Sequence, residues 1–381
     1  MSTAASSPKI LFLATEDWFF ASHFLPMARA AREMGLEVVV VARVRASTAA
    51  IEATGARVVA LEADRRSLDP RAIRHAVGTV ADILTRERPH ILHCIALRSI
   101  LVGGAAARQV GLTSLVFALT GLGFLGAKTG SAGIAARLGV RIAIRRILET
   151  RRTRYLFENP DDPRLLGLGP AAPNVTIVGG AGIDPDMLAP TPLTGGSTLR
   201  LALVSRMLWS KGVDLAVKAV GKAREGGADV TLSLYGAPDP ANPKAIPVAD
   251  LEDWAKREGI EWRGPTRDIA AVWREHHVAC LPSRGGEGLP RTLLEAAASG
   301  RAILTTDVPG CRSFVRDGID GRVVAPDVAS LTAAILDLSR DRATVERMGA
   351  NARSRVLDGY TERDVMEDVK RLYAGLLADR H

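Results

Sequence analysis

Leu281-Pro-Ser-Arg-Gly-Gly-Glu-Gly-Leu-Pro-Arg-Thr-Leu-Leu-Glu-Ala296 reads as the end of an apolar strand, a glycine-hinged loop and the opening of a helix. Val278 to Pro282 has the length and composition of a buried strand. Gly285 and Gly286 free the backbone, and Pro290 stands where a helix begins. Such a loop presents backbone amides and the positive end of a helix, which suits a diphosphate. Glu287 stays in the loop, while Glu295, eight positions on and just over two helical turns away, sits within the helix. The two acids can therefore grip hydroxyls at different ends of one ligand, as a nucleotide-sugar would require.

Outward from this stretch the chain alternates strand-length apolar runs with helical segments. Ile10 to Ala14, Glu37 to Val44, Arg57 to Leu61, Ile91 to Ile95, Ser114 to Leu119, Arg154 to Phe157 and Asn174 to Val178 form a first series. Leu199 to Ser205, Val230 to Tyr235, Ile260 to Trp262, Val278 to Pro282, Ala302 to Thr305 and Arg322 to Val324 form a second. Strand and helix alternating in this way predict parallel βαβ units, hence an α/β protein of two doubly wound halves. The turn-rich stretch after Val178 places the boundary near residue 195, giving domains 1–195 and 196–358. A final helix from about Thr361, with Val365, Val369, Leu372 and Leu376 at helical spacing, makes 359–381 a closing element. Ligands of open α/β sheets bind beyond the carboxyl ends of the strands, so a cleft between the two halves is the expected site.

At 381 residues and 47% hydrophobic content the chain can bury two cores, and 4% aromatics suits layered α/β packing. Cys94, Cys280 and Cys311 lack metal-ligand spacing, which implies a reduced cytoplasmic protein without disulfides. Ile10 to Ala14 is too short for a signal or a membrane span. The formal charge of +8 has no aromatic interleaving to suggest nucleic acid. It is concentrated instead between Ala135 and Arg154, where seven arginines and one acid, Glu149, are interleaved with Leu138, Ile142, Ile144, Ile147 and Leu148. Arg137 to Arg154 thus reads as a basic amphipathic helix, suited to an anionic membrane surface or to a solvated face over a core stripe.

Arg206 closes the first strand of the second half and Lys211 precedes its helix, placing two cations where a leaving diphosphate needs neutralising. Val204-Ser-Arg-Met-Leu-Trp-Ser-Lys-Gly-Val-Asp214, the Pro282 to Ala296 segment and Gly310 to Val324 together resemble the donor domain of retaining family-4 glycosyltransferases, whose GT-B architecture has two Rossmann-like domains facing a cleft. The resemblance covers nearly the whole chain. It implies that Glu295 holds the nucleoside ribose and Glu287 contacts the donor sugar. It further implies that Arg206, Lys211 and the backbone near Gly286, Gly288 and Leu289 bind the diphosphate of a UDP-sugar. Thr15 to Phe19 leading to His23, Leu92-His93 with Leu97-Arg98-Ser99, and Phe117 to Phe124 are similar to bacterial transferases that extend polyprenyl-diphosphate-linked sugars in cell-surface glycan assembly. That similarity implies acceptor-side roles for Asp17, His93, Arg98, Thr120 and Gly121, a catalytic contact from His23, and a final helix that returns to the first domain. It also implies a peripheral position on the inner face of the membrane, where the basic helix would meet it. The loop after the first strand lacks the Gly-Gly pair of many relatives, and Thr120 stands where several carry histidine.

Rival readings have specific failings. Gly121-Leu-Gly-Phe-Leu-Gly126 matches Gly-x-Gly-x-x-Gly, but the expected downstream acid is replaced by Arg145 and Arg146, which argues against a nicotinamide enzyme. Lys128-Thr129 misses the P-loop register. Asp184-Pro185-Asp186 mimics a metal-binding pair but reads as a helix cap, and no metal or cofactor is expected. A soluble acceptor, a nucleotide-sugar epimerase of the same architecture and a non-catalytic membrane scaffold are the remaining alternatives; the intact cations and acids argue against the scaffold. Ser283, Arg284 and Gly286 are the candidates for reading the sugar.

Overall fold

The structure, a computed structural model, describes residues 7–62, 69–121, 131–240 and 242–378. The chain divides into two compact units, Met1–Gly182 with Glu362–His381, and Ile183–Thr361. In the first, the described strands β1 (Lys9–Glu16), β2 (Glu37–Arg43), β3 (Arg57–Ala60), β4 (Ile91–Ile95), β5 (Leu115–Leu119), β6 (Thr153–Phe157) and β7 (Val175–Ile177) form one sheet in the order β3-β2-β1-β4-β5-β6-β7. In the second, β8 (Leu199–Val204), β9 (Val230–Tyr235), β10 (Ile260–Gly264), β11 (Val278–Leu281), β12 (Ala302–Thr306) and β13 (Gly321–Val324) take the order β10-β9-β8-β11-β12-β13. Every pairing of neighbours in both sheets is parallel.

Continuous apolar runs make these strands because both faces of each sheet are covered by helices. Ile10, Phe12 and Ala14 point into one core layer, and Leu11 and Leu13 into the layer on the opposite face. Leu199, Leu201 and Leu203 likewise share one layer of the second unit, while Ala202 faces the other side.

The helix Glu362–Ala378 buries Val365, Val369, Leu372, Tyr373 and Leu376 in the same cluster as Phe12, Phe20 and Phe24, so the chain's last helix completes the first unit's core. The boundary expected near residue 195 falls at Gly182/Ile183 instead. Ile183 and Leu188 pack with Leu293, Leu294 and Phe314, Arg301 donates to the Thr191 carbonyl at 2.9 Å, and Thr194 Oγ1 meets His277 Nε2 at 2.7 Å. Proline and glycine there shape an ordered loop on the second unit; they do not mark a linker. Asp184 Oδ1 accepts from the Asp186 amide at 3.0 Å within a turn, so it caps no helix.

The arginine-rich segment is not one helix. An α-helix over Ser131–Ile142 passes into a π-helix over Ala143–Leu148, and Arg151 to Arg154 lead into β6. Ile144 and Leu148 are buried, but Ile134, Leu138, Ile142 and Ile147 are 61%, 53%, 48% and 52% exposed. Among the described residues no helix is long and apolar enough to cross a membrane.

His93, on β4, is fully buried, with Nδ1 2.8 Å from the Tyr373 hydroxyl and its ring 5.0 Å from that of Phe12. Burial pushes its imidazolium down to about 3. The folded chain keeps His93 neutral until that pH, while the unfolded chain protonates it near 6.5, so its contribution is intact above 6.5 and is lost as pH falls towards 3. His93→Gln is therefore expected to flatten acid destabilisation between pH 6.5 and 4, removing about 1.4 kcal/mol of unfolding free energy per pH unit there, as followed by denaturant melts across pH.

Candidate active site

In the second sheet the chain runs outward from β8 to β9 on one side and resumes at β11 on the other, which creates a switch point at the carboxyl ends of β8 and β11. The loop Ser205–Gly212 follows β8, and the loop Pro282–Pro290 follows β11. Their backbones nearly touch: a Cβ on Gly212, where φ is +70°, would lie 1.9 Å from the Pro282 carbonyl oxygen. Gly310, in the short helix Pro309–Arg312 after β12, is held in the same way, since a Cβ there would lie 2.1 Å from the Gly288 oxygen. Only glycine fits either position.

Across this contact Lys211 Nζ donates to Glu287 Oε1 at 2.7 Å and to Oε2 at 2.8 Å. Ser283 Oγ donates to Glu287 Oε1 at 2.7 Å, with the Ser210 carbonyl at 3.2 Å. The Lys211 and Glu287 side chains are 17% and 11% exposed, so the pair is shielded yet reachable. Gly285 and Gly286 take φ of +123° and +80°, as their place in the hinge requires. Gly288 and Leu289 then lead to the helix Arg291–Ala298, on which Glu295 accepts from Arg291 Nε at 2.9 Å. Burial raises the Glu295 carboxyl above its ordinary value, with the Arg291 charge partly offsetting. Arg206, 46% exposed, donates to Asp239 at 3.1 Å. The seven donor-side residues expected from sequence, Arg206, Lys211, Gly286, Glu287, Gly288, Leu289 and Glu295, thus all lie on the second unit, in the β8 loop, the β11 loop and the helix that follows.

Ser283 and Arg284 are engaged internally: Arg284 forks onto Asp214 at 2.7 and 2.8 Å and donates to the Trp209 carbonyl at 2.6 Å. Asp239 escaped sequence reasoning, and Asp214 and Gly310 stood in the quoted motifs without a role assigned. Asp214 carried a signal, an acid in the first turn of the helix after Lys211-Gly212, whereas Asp239 lies in a proline-rich loop with none.

The acceptor-side residues lie in or after β1, β4 and β5 in the first unit: Asp17 opens the helix Asp17–His23, His93 is mid-β4, Arg98 is in the helix Ala96–Val110, and Thr120 and Gly121 follow β5. Asp17 is fully buried and caps backbone: Oδ1 accepts from Trp18 N at 2.7 Å, and Oδ2 accepts from Arg45 N and Ser47 N at 2.8 and 2.9 Å. His23 Nδ1 lies 2.6 Å from Ser22 Oγ, with its ring against Phe19. His93 faces the core. Arg98 lines a small cavity with Leu13, Thr15, Leu61, Ser99 and Val102. Thr120 and Gly121 lie just past β5, Gly121 at φ +92°. The rest of the glycine motif, through Gly126, and Lys128-Thr129 lie outside the described residues. A further polar group, unanticipated in the sequence, closes β6: Asn159 Nδ2 donates to Asp162 at 3.0 Å, and burial raises the Asp162 carboxyl to about 6 against that bond.

Two parallel sheets wound in this order define the GT-B class. Anabaena HepE, solved with UDP and glucose, superposes with a TM-score of 0.72 at 16% identity over 97% of this chain and 99% of its own. Residues 9–153 match the family model for Glycosyl transferase 4-like proteins, and residues 198–341 match that for Glycosyl transferases group 1. The chain belongs to this glycosyltransferase family. It is 30% identical over 209 residues to an exopolysaccharide phosphotransferase of Streptomyces coelicolor, covering 54% of this chain and 21% of that one. It is 22% identical over 313 residues to the N,N'-diacetylbacillosaminyl-diphospho-undecaprenol alpha-1,3-N-acetylgalactosaminyltransferase of Campylobacter jejuni, covering 78% and 81%. The chain spans about half or less of the length of several curated relatives it matches.

Any anion approaching Arg206 has to compete with Asp239. Removing that competition with Asp239→Asn is expected to tighten UDP binding about two- to five-fold at low salt, the scale of an exposed ion pair, and to have little effect at high salt; titration calorimetry at two ionic strengths checks both.

Proposed function

We propose that the protein is a retaining glycosyltransferase that moves a hexose or N-acetylhexosamine from a UDP-sugar to a polyprenyl-diphosphate-linked saccharide in cell-surface glycan biosynthesis. The observation that carries the reading is the Lys211–Glu287 pair at the switch point, a cation for phosphate and an acid for sugar hydroxyls held at one place. Arg206 and Lys211 neutralise the diphosphate, Glu295 takes the ribose hydroxyls, and Glu287 holds the donor sugar. Amides at Gly286, Gly288 and Leu289 line the approach to the helix terminus. The acceptor hydroxyl attacks the anomeric carbon from the face the diphosphate leaves. The carbon–oxygen bond to phosphate breaks as the new glycosidic bond forms, and the hydroxyl proton passes to the departing phosphate oxygen. Positioning and electrostatics supply the rate, so the reading calls on no metal or cofactor. On the acceptor side, His23 closes the helix after β1, Arg98 stands in the first turn of the helix after β4, and Thr120 and Gly121 follow β5. Asp17 and His93 support those loops from within and do not touch the acceptor.

The same reading places the protein on the inner face of the membrane. Ile134, Leu138 and Ile142 recur every fourth residue on the helix Ser131–Ile142 and stay exposed beside Arg137, Arg141, Arg145 and Arg146. An apolar ridge flanked by arginines fits an anionic lipid surface. Replacing Ile134, Leu138 and Ile142 together with serine is expected to abolish co-sedimentation with phosphatidylglycerol vesicles while leaving UDP binding unchanged; undiminished sedimentation would remove the membrane from the reading.

Transfer itself is tested with labelled UDP-sugars and a polyprenyl-diphosphate-sugar in detergent. Glu287→Gln is expected to lower label in the lipid by about a hundred-fold or more and to change UDP affinity little. Hydrolysis of UDP-sugar without lipid labelling would point to a soluble acceptor, and conversion of the donor without any acceptor would point to an epimerase.

A further inference from the structure

Beyond the Lys211–Glu287 pair and the Ser283 hydroxyl on the Ser210 carbonyl, further contacts that tie the β11 loop to the β8 loop and the helix after it converge on Arg284. Its guanidinium reaches both carboxylate oxygens of Asp214, at 2.7 and 2.8 Å. One guanidinium nitrogen also donates to the Trp209 carbonyl at 2.6 Å, and the Arg284 amide donates to the Ser210 carbonyl at 2.8 Å. Asp214 stands in the first turn of the helix Val213–Glu225 with its side chain 10% exposed, while that of Arg284 is 36% exposed, so the acid is shielded and one side of the guanidinium meets solvent. Arg284 is also the last residue before Gly285 and Gly286, which have no side chains to hold their positions. Beyond them the chain is caught again only at Glu287.

The fork-to-carboxylate geometry fixes orientation as well as distance, which a single charge contact does not. Arg284 forks onto Asp214 and also donates to the Trp209 carbonyl, while Arg206 pairs with Asp239 and is the more exposed of the two, at 46% against 36%. We propose that Arg284 and Asp214 are positioning residues for sugar transfer, clasping the Lys211 loop to the Glu287 loop so that the phosphate cation and the sugar-binding acid meet the donor in register. The inference rests on the transferase reading of this site. Neither residue contacts the reacting atoms; both act through the placement of Lys211 and Glu287.

Loss of the clasp leaves each loop able to bind its own part of the donor but misaligns the two, and small misplacements are felt most at the transition state. Arg284→Met and Asp214→Ala are expected to lower kcat by about ten-fold or more, with the dissociation constant of UDP changing by about three-fold or less. The double variant should be no worse than the worse single one, because both residues act through one contact, and Arg284→Lys should recover part of kcat. Hydrogen exchange of amides 208–216 and 283–288, measured without donor, should quicken in both single variants. Unchanged kcat in folded protein, losses that add in the double variant, or unchanged loop exchange would each overturn the proposal. A wild-type protein that binds UDP but transfers no sugar would sink the transferase reading and leave the exchange measurement as an independent test of the clasp.

Discussion

The Lys211 ammonium held between the two carboxylate oxygens of Glu287 is the contact on which the carboxyl edge of the second unit depends. Two opposite charges at 2.7 and 2.8 Å and mostly shielded from solvent compensate each other, whereas either alone would carry a desolvation cost of several kcal/mol. The pair is possible only because Gly212 lets the β8 loop lie against Pro282, bringing two strand ends closer than any side chain would allow. Gly310 does the same from the helix after β12, and Ser283 supplies a hydroxyl to the acid. Backbone proximity thus comes first in the causal order, and the charges exploit it.

Much of this was legible in the sequence because parallel strands buried on both faces leave uninterrupted apolar runs. Each of the described strands in both sheets begins or ends within a few residues of such a run. The Glu287 and Glu295 spacing could be read for the same reason, since a strand, two glycines and a helix start fix where each acid lies. Long-range contacts were not legible. Asp17 looked like a ligand residue at the end of β1, and only its three backbone amide partners, two of them from residues 45 and 47, reveal it as a cap. The loop at 183–195 reads as a domain boundary on its prolines and glycines, which report backbone shape and are silent about what that backbone packs on. The basic segment was expected as one helix. The shift to a π-helix at Ala143 and the turn into β6 depend on Ile144 and Leu148 reaching the core, and charge spacing does not record that.

The fold and the family are settled at a different level from the reaction. GT-B neighbours share this architecture at 16% identity, too little to carry a substrate with them. The family models cover each half of the chain separately, and they agree with a sheet order in which both halves expose a switch point at their strand ends. The charged groups at the second unit's strand ends are paired: Arg206 with Asp239, Lys211 with Glu287, Arg291 with Glu295. Each group that would meet a nucleotide-sugar already has an internal partner of opposite charge, so the site is electrostatically balanced before any ligand contributes.

The first unit is assembled from two stretches of chain separated by the whole of the second. Phe12, Phe24 and His93 share their core with Tyr373 and Leu376, so the layer under β1 and β4 lacks a wall until residue 376 has been synthesised. The second unit needs nothing beyond Thr361. The first unit is therefore closed last in sequence: every residue of the second unit is made before the helix that covers the first unit's apolar sheet face. A chain cut before Val365 would keep the whole of the second unit and leave Phe12 and Phe24 without the helix that covers them.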